Sequence, residues 1–440
     1  MHKIFNPRLI PALIAVAFSG TAAASGFQLL EQNASGLGNA YAGSAAVADN
    51  ASTIFYNPAG MTQLQSREVS VGGSFIHTSY KFNNNGSSTG SLSGDGKDGG
   101  GWGFVPNAYM SMQVAKDWYV GLGIGAPFGL KTEYDNMWTG GAQSRKFDIE
   151  TLNINPSVAW RVNDVVSLGF GVNWQRLQAE YIRTVGVTNI PGVVNVAGAT
   201  GTVTLAGDAW GWNAGALFNL GPATKVGISY RSAVRHNLEG DSMVTSNGDP
   251  TANGTVAGLN AAGASSHVKA TIKLPDTAIL SATHKLNDRV EVLGDVSWTG
   301  WSTIPKVDII RTSGALNGAT AQTLDTEFRN TWRVAVGTNY QLNDEVKLKF
   351  GLAYDQTPVP SAQHRLVSLP DNNRTWFSVG AQYKPSKALT FDVGATYLYV
   401  KSVDIDNNQS SATVTSNRGW VKGSFDATAF ILGAQMSMAF

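Results

Sequence analysis

Residues 25–63 read SGFQLLEQNASGLGNAYAGSAAVADNASTIFYNPAGMTQ, and the rest of the chain is arranged around them. The stretch is rich in Ala, Gly, Ser and Asn, and its few large apolar residues repeat with neither the helical nor the strand period. Such a segment cannot bury a core of its own, yet it is too apolar and too weakly charged for a solvated tail. We therefore expect residues 25–65 to form a folded plug, or hatch, pressed against walls that the rest of the chain supplies.

The first 24 residues have the three parts of a secretory signal peptide. A basic start with Lys3 and Arg8 leads into an apolar run over residues 9–18, and residues 22–24 are three alanines suited to cleavage. The apolar run is shorter than the roughly 20 residues that a membrane-spanning helix needs. The sequence therefore predicts that residues 1–24 are removed and that the mature chain is exported.

The composition favours a membrane β-barrel over a secreted enzyme. Charged residues make up only 14% of the chain, well below the roughly 25% of soluble domains. Hydrophobic residues make up 43%, and glycine occurs 49 times. The formal net charge of +1 gives no reason to expect a nucleic acid as partner. The absence of cysteine excludes disulfides, thiol catalysis and zinc–thiolate sites.

From about Arg67 onward the chain alternates apolar residues with small or polar ones, as outer-membrane strands do. The final strand shows this most clearly, with apolar side chains at Phe430, Leu432, Ala434, Met436, Met438 and Phe440. Short turns alternate with long polar loops, which are predicted near 82–101, 131–147, 184–206, 238–268, 303–325, 356–373 and 403–419. The fold class is therefore all-β, a transmembrane antiparallel barrel over residues 66–440 with about fourteen strands, an even number as such barrels require.

The hatch also carries a family resemblance. GFQLLEQNASGLGNAYAG followed by NPAGM resembles the N-terminal hatch of the FadL family of outer-membrane long-chain fatty-acid and hydrocarbon transporters. Asn57, Pro58 and Ala59 match the NPA motif of that family. The resemblance covers residues 25–440 and implies a hatch-plugged barrel in the outer membrane of a Gram-negative bacterium.

The function that the resemblance implies is passive uptake of a long-chain fatty acid or a similar hydrophobic compound. It implies a protein without enzymatic activity or cofactor, which we expect to be a monomer surrounded by outer-membrane lipid. Phe440 resembles the terminal aromatic residue through which barrels of this kind are recognised by their assembly machinery.

The third predicted strand, which begins at Trp118, is interrupted at residues 126–129. Proline cannot donate to a strand ladder, and a nearby glycine invites a bulge or bend. From the pattern alone, Pro127 either kinks the strand or ends it before the next loop. In the FadL family a kink at this place forms a lateral opening through which ligand leaves into the bilayer.

Residue matching assigns further positions to that opening. Gly103, Ala126 and Gly129 match residues of the family's opening, with Pro127 at the kink. The resemblance also implies that Asn57 of the hatch faces the opening.

Arg183 occupies a lumen-facing position of its strand, unless a bulge intervenes. From the residues alone, such an arginine is usually the partner of nearby carboxylates. The resemblance instead makes it the partner of a ligand carboxylate, in a pocket that Phe27 also lines. Asp355 matches an inward acid of the family and is a candidate counter-ion for Arg183. A second basic residue of the family pocket matches Leu324 here, so an uncharged aromatic or aliphatic hydrocarbon is the alternative ligand.

The loop over residues 126–142 combines aromatic side chains with few charges. Phe128, Tyr134 and Trp138 are its aromatic members. Apolar residues exposed in a loop usually form an interaction surface, and the resemblance implies a low-affinity groove where hydrophobic ligand first binds. The alternative is that these residues pack between the loops that cap the barrel.

Two other functions fit the sequence less well. A general diffusion porin would need an open, charge-lined lumen, which the hatch argues against. A barrel hydrolase would need a nucleophile, and the G-x-S-x-G match at 86–90 lies in a Gly/Ser/Asn loop and lacks the strand–turn–helix context of a nucleophile elbow. Asp404 and Asp406 begin like a calcium loop, but Gln409 occupies the required glycine position, so we predict no metal site.

Overall fold

The wall of the protein is a single β-sheet that closes on itself. The computed structural model describes residues 26–185, 199–246, 248, 250–411 and 417–440, so the predicted signal peptide and Ser25 lie outside the described residues. Within these ranges, twenty strand segments form one antiparallel sheet, and the last strand pairs with the first. Six breaks divide single strands into two segments, so the sheet is a closed barrel of 14 strands, which confirms the predicted fold.

The barrel strands of the described chain follow one another in sequence order, each paired with the next. The first seven are β1 (Arg67–Asn84), β2 (Gly101–Ala115), β3 (Trp118–Gly125 and Gly129–Glu133), β4 (Lys146–Arg161), β5 (Val166–Thr184), β6 (Thr200–Asn219) and β7 (Thr224–Arg231 and Val234–Thr245). The other seven are β8 (Ser266–Leu274 and Thr277–Lys285), β9 (Val290–Thr299 and Lys306–Arg311), β10 (Thr320–Asp325 and Thr331–Gln341), β11 (Val346–Asp355), β12 (Arg374–Ser386), β13 (Leu389–Val400 and Val403–Asn408) and β14 (Trp420–Ala439). The loop between β7 and β8 carries a 3-10 turn (Pro250–Ala252) and a helix (Asn253–Ala261).

The middle of the barrel is apolar outside and polar inside. On β14, Phe430, Leu432 and Met436 are 39–44% exposed on the outer face, whereas Gln435 and Ser437 are buried on the inner face. Lipid outside and a crowded lumen inside require this division, and it confirms the alternation read from the sequence. None of the helices in the described ranges is long and apolar enough to cross a membrane.

Several of the predicted long loops contain strand segments that extend the wall, so the loop predictions over 184–206, 238–268, 303–325 and 403–419 are wrong in part. In these extensions the two faces are reversed. On β7 and β8, Leu238 and Ile272 are buried on the inner face, while Arg235 and Lys273 are exposed on the outer face. A polar outer face suits water rather than lipid, so this part of the barrel stands above the membrane with an apolar lumen.

Inside the wall, the described hatch residues form only short helices. These are the 3-10 turns Leu37–Asn39 and Pro58–Gln63 and the helix α1 (Thr53–Tyr56), after which β1 begins at Arg67. Leu37, Ile54 and Met61 are fully buried. The hatch itself is too short and too rich in small residues to cover these side chains. Their cover is the inner face of the barrel, so the core of the molecule lies between hatch and wall.

Candidate functional site

Five cations of the barrel hold the hatch by its backbone. Each donates a hydrogen bond to a hatch carbonyl: Arg161 to Thr62, Lys225 to Val47, Arg231 to Phe55, Arg333 to Ala40 and Lys349 to Ser35. A carbonyl accepts such a bond without a matching acid on the hatch, which explains why inner faces of the strands carry lysine and arginine. All five bonds reach residues from Ser35 onward. The first described residues of the hatch, 26–32, are held by other contacts.

The NPA motif lies against β5 and β6. The Asn57 side chain accepts a bond from the Ala59 amide and donates to the carbonyls of Ala45 (2.7 Å) and Ala216 (2.9 Å). Asn57 thus caps the 3-10 turn that Pro58 begins, a usual place for these residue types. The motif fits because Gly169 faces it, where an added Cβ would lie 2.2 Å from the Ala59 nitrogen.

The prediction that Asn57 faces the interruption of β3 is therefore wrong. Its hydrogen-bonding groups are used by its own turn, by the hatch and by β6. The hatch residues that do contact the interruption include Phe27, Gln28, Leu29 and Gln32.

The ladder between β2 and β3 is broken in its upper half. β2 pairs with β3 only from Ala108 downward, and residues 102–107 have no ladder partner in the described part of β3. The upper segment of β3, Gly129–Glu133, pairs with β4 alone. Above the break, the amide of Glu133 donates to the carbonyl of Gly99 at 3.0 Å. The wall therefore contains a bounded gap in its hydrogen bonding.

The structure places the predicted opening residues on the two edges of this gap. Gly103 lies on the free edge of β2, and Ala126, Pro127 and Gly129 lie in the break of β3. Pro127 thus kinks the strand, because β3 resumes at Gly129 and does not end there. The passage of ligand through the gap stays a prediction.

The first residues of the hatch pair with the kink from inside. Three hydrogen bonds run from Leu29 N to Pro127 O (2.8 Å), from Gly129 N to Phe27 O (2.9 Å) and from Gln32 Nε2 to Ala126 O (2.7 Å). The kink turns these backbone groups toward the lumen, so the hatch replaces β2 as the partner of β3. Gly26 has a φ of +63°, and its amide donates to Asp371 Oδ2 at 2.9 Å. An added Cβ there would lie 2.8 Å from the Trp301 ring, so glycine is required.

Four aromatic rings surround the start of the hatch. The Phe27 ring lies 5.0 Å from that of Trp301 and 5.9 Å from that of Phe128, and Trp301 lies 5.8 Å from Phe328. The structure therefore brings the predicted residues Phe27 and Phe128 together. Sequence reasoning missed Trp301 and Phe328, because both lie between strand segments and show no periodic signal. The edge-to-face contacts of Trp301 with Phe27 and Phe328, and the tilted contact of Phe27 with Phe128, form an aromatic floor beneath the apolar upper lumen.

Tyr134 and Trp138 do not form an exposed groove. They are 5% and 1% exposed, their rings stack at 4.2 Å, and Trp138 also packs against Phe82 of β1. The Tyr134 hydroxyl donates to the carbonyl of Val367, and Phe425 of β14 completes the cluster. The prediction of an exposed apolar surface is thus wrong for these two residues, which pack between loops and strand ends, and also for Phe128, which is 4% exposed in the core beside Phe27.

Arg183 lies on the inner face of β5, as the alternation predicts. The register between β5 and β6 is continuous from Val166–Phe218 to Thr184–Thr200, so no bulge turns the side chain outward. The guanidinium groups of Arg418 and Arg311 lie close enough to repel that of Arg183.

These three residues, which we call the arginine cluster, are like charges that act on one another electrostatically. No carboxylate pairs with Arg183, Arg311 or Arg418 within the described ranges. Burial, opposed in part by Tyr181, lowers the pKa of Arg418. The cluster can therefore accept an anionic group from outside the chain.

Asp355 is not the counter-ion of Arg183, and this prediction is wrong. Asp355 lines an inner chamber of the lumen together with Arg333, Arg231 and Asp295. It acts electrostatically on Glu31 and Arg374, whereas the charged groups near Arg183 do not include it. The reason is that Asp355 and Arg183 lie at different heights in the barrel. Asp355 ends β11 beside the hatch, and Arg183 lies near the upper end of β5.

Comparison with known proteins identifies the family. The family model described as "Outer membrane protein transport protein (OMPP1/FadL/TodX)" matches residues 15–440. Outer membrane protein P1 of Haemophilus influenzae is 32% identical, over 91% of both chains. The long-chain fatty acid transport protein of Escherichia coli K12 is 30% identical, over 93% of this chain and 96% of that one. The chain belongs to the OMPP1/FadL/TodX family of outer-membrane transport proteins.

Solved structures of this family share the fold. A crystal structure of a Pseudomonas aeruginosa FadL homologue has a TM-score of 0.84 at 23% identity, covering 94% of this chain and 99% of that one. The crystal structure of the Ralstonia pickettii toluene transporter TbuX has a TM-score of 0.66 at 16% identity, covering 93% and 98%. As a FadL-family member, the protein is located in the outer membrane.

The FadL-family pocket departs from its usual pattern at Leu324. Leu324 packs against the apolar core of the upper lumen. Arg311 and Arg418 supply positive charge beside Arg183 from β9 and from the loop before β14, and the sequence analysis missed both residues. Among the described residues, no group of three or more His, Cys, Asp or Glu side chains is placed to hold a metal ion.

Proposed function

We propose that the protein is a passive channel through which long-chain fatty acids or similar hydrophobic compounds cross the outer membrane, and that it catalyses no reaction. The observation that carries the proposal is the inner wall above the membrane. Buried apolar side chains of that wall, among them Leu177, Leu205 and Ile309, lie between Phe27 and the arginine cluster. An apolar wall ending at cations that pair with no carboxylate in the described ranges suits an amphiphile with an anionic head group. The naming of E. coli and other relatives as long-chain fatty acid transport proteins supports this choice of ligand.

The proposed path begins at the arginine cluster and ends in the bilayer. The carboxylate binds at Arg183, and the hydrocarbon tail lies along the apolar wall toward Phe27. Displacement of residues 26–32 then uncovers the kink at Pro127, and the ligand leaves sideways between Gly103 and Gly129. The gap in the ladder between β2 and β3 supports this exit, since no backbone bonds need to be broken there.

An uncharged hydrocarbon is the second candidate ligand. The apolar Leu324 stands where the family has a basic residue, and it contributes to the apolar lumen. The similarity in fold to toluene transporters is compatible with this ligand class. A hydrocarbon would use the apolar wall and would be indifferent to the arginine cluster.

The partners that we propose follow from the barrel. Closure of the sheet within one chain supports function as a monomer surrounded by outer-membrane lipid. Phe440 is 58% exposed at the end of β14, where assembly machinery could recognise it.

Titration of two ligands against matched variants tests the proposed ligand. Arg183→Ala removes a charge-assisted contact of roughly 1.5–3 kcal/mol, so the affinity for palmitate should fall by about one to two decades. Hexadecane should bind this variant nearly as well as the unaltered protein. Arg176→Ala is the control, because Arg176 lies on the outer face of the same strand, 42% exposed and paired with Asp208.

The outcomes separate the two ligand classes. If palmitate binds both proteins equally, Arg183 is excluded as the head-group site. If the unaltered protein binds hexadecane as well as palmitate, the hydrocarbon function is favoured. If neither ligand binds, the proposed function itself is contradicted.

A further inference from the structure

Glu31 of the hatch is a fully buried acid. The residue is 0% exposed, and neither side-chain oxygen accepts a hydrogen bond within the described structure. Burying an ionised carboxylate without hydrogen bonds is strongly unfavourable, so the site favours the protonated form. No step of the proposed transport path uses this group.

The groups that face Glu31 come from the hatch and from three strands. Arg374, Arg333 and Asp355 are the charged groups that act on it electrostatically, and Tyr41 and Tyr56 of the hatch also interact with it electrostatically. Burial raises the pKa of Glu31 from 4.5 to about 7, against the opposing effects of its own nearby backbone amide and of the two arginines. Burial raises the pKa of both tyrosines well above their ordinary range, so they stay neutral.

Glu31 lies in the segment that covers the kink of β3. Two residues before it, Leu29 donates to Pro127, and one residue after it, Gln32 donates to Ala126. A change that displaces Glu31 must therefore break or move the contacts between hatch and kink. The rest of the hatch is held separately, because the five cations of the wall reach only residues from Ser35 onward.

We propose that Glu31 is a proton switch of the hatch: residues 26–32 cover the kink while Glu31 is protonated and leave it when Glu31 ionises. The inference rests on the proposed function, which assigns the kink as the exit. Ionisation is favoured in the displaced state, because there water can solvate the carboxylate. The five-cation anchor confines the displacement to the first residues of the hatch.

The direction of the pH dependence follows from linkage. The covered state holds the proton more tightly than the displaced, hydrated state, so it is favoured at low pH and loses stability as pH rises from 4.5 through about 7. With these two pKa values, the ratio of displaced to covered hatch should rise about tenfold between pH 6 and pH 8.

Cysteine accessibility measures this ratio directly, because the natural chain contains no cysteine. Leu29→Cys, at a residue 1% exposed against the kink, is labelled with a water-soluble maleimide in full-length protein in liposomes between pH 5 and pH 8. The same cysteine in a Glu31→Gln protein corrects for the titration of the thiol itself. Ile54→Cys is the matched control, since Ile54 is 0% exposed in the anchored part of the hatch.

The expected result is that the labelling rate at Leu29→Cys, relative to the Glu31→Gln background, rises about tenfold between pH 6 and pH 8. Identical pH profiles in the two backgrounds would overturn the switch. An equal rise at Ile54→Cys would also overturn it, since the whole hatch would then loosen. If Glu31→Gln does not fold, Glu31→Met removes the proton with an apolar side chain of similar length. The labelling experiment needs no ligand. A failure of the proposed transport function would therefore be seen in a separate measurement, as an absence of uptake of hydrophobic compounds.

Discussion

The backbone amide of Leu29 donates a hydrogen bond of 2.8 Å to the carbonyl oxygen of Pro127. In an uninterrupted barrel that carbonyl would serve a neighbouring strand. Here residues 102–107 of β2 pair with β1 but not with the described part of β3, and the hatch takes the place of the missing partner of β3. The hatch and the gap are thus one structural unit, and a substitution in either should alter the contacts of the other.

Replacing Pro127 and Gly129 together with valine should close the gap. Valine supplies the missing amide donor at 127 and favours extended backbone at both positions, so β3 can pair with the free edge of β2. We expect slower fatty-acid uptake with binding at the arginine cluster retained. Uptake into proteoliposomes and ligand titration measure the two effects.

Pro156→Val is the control for this pair of substitutions. Pro156 is exposed within β4, where pairing with Leu122 of β3 is regular, so its replacement should leave uptake unchanged. Unchanged uptake in a correctly folded double variant would remove the lateral exit from the proposed path.

The barrel could be predicted from the sequence because lipid imposes one rule on every strand in the membrane, namely that the outer face is apolar. Phe430, Leu432 and Met436 obey that rule, and the same alternation gave the inward direction of Arg183. Above the membrane the rule reverses, since water lies outside and apolar side chains such as Leu238 and Ile272 face inward. Because these segments have no outward apolar face, their sequence is typical of loops and not of membrane strands.

The site was less predictable, because its members meet only when the barrel closes. Arg311 and Arg418 reach Arg183 from β9 and from the loop before β14, and no spacing in the sequence indicates that proximity. Asn57 was misplaced for a different reason. A motif match identifies a residue type, whereas the contacts of its side chain were decided locally by the 3-10 turn that it caps.

Deleting residues 25–61 should convert the protein into an open channel. The hatch contributes no strand to the barrel, so the wall should still assemble, and a barrel of this width has a water-filled lumen unless something fills it. We expect small-ion conductance in planar bilayers to rise well above that of the intact protein. Low conductance from a folded deletion variant would show that the hatch is not the plug.

The ion pair between Lys349 of β11 and Asp392 of β13 should be a strong determinant of stability. The two side chains are 4% and 1% exposed with a separation of 2.8 Å, and the Lys349 ammonium also donates to the hatch carbonyl of Ser35. Lys349→Met leaves Asp392 buried without its cation, which should cost about 3–5 kcal/mol in the free energy of unfolding. Urea titration of protein refolded in lipid measures this loss.

Two further variants decide whether the loss comes from the buried charge. The double variant Lys349→Met/Asp392→Leu leaves no lone charge, so it should recover most of the stability that Lys349→Met loses. Arg176→Met breaks the exposed pair with Asp208, where both side chains are more than 40% accessible, and should cost no more than about 1 kcal/mol. If the double variant is as unstable as Lys349→Met, the lost contact with Ser35 outweighs the buried charge. The hatch would then stabilise the barrel through that carbonyl, and deletion of residues 25–61 should lower the stability by a similar amount.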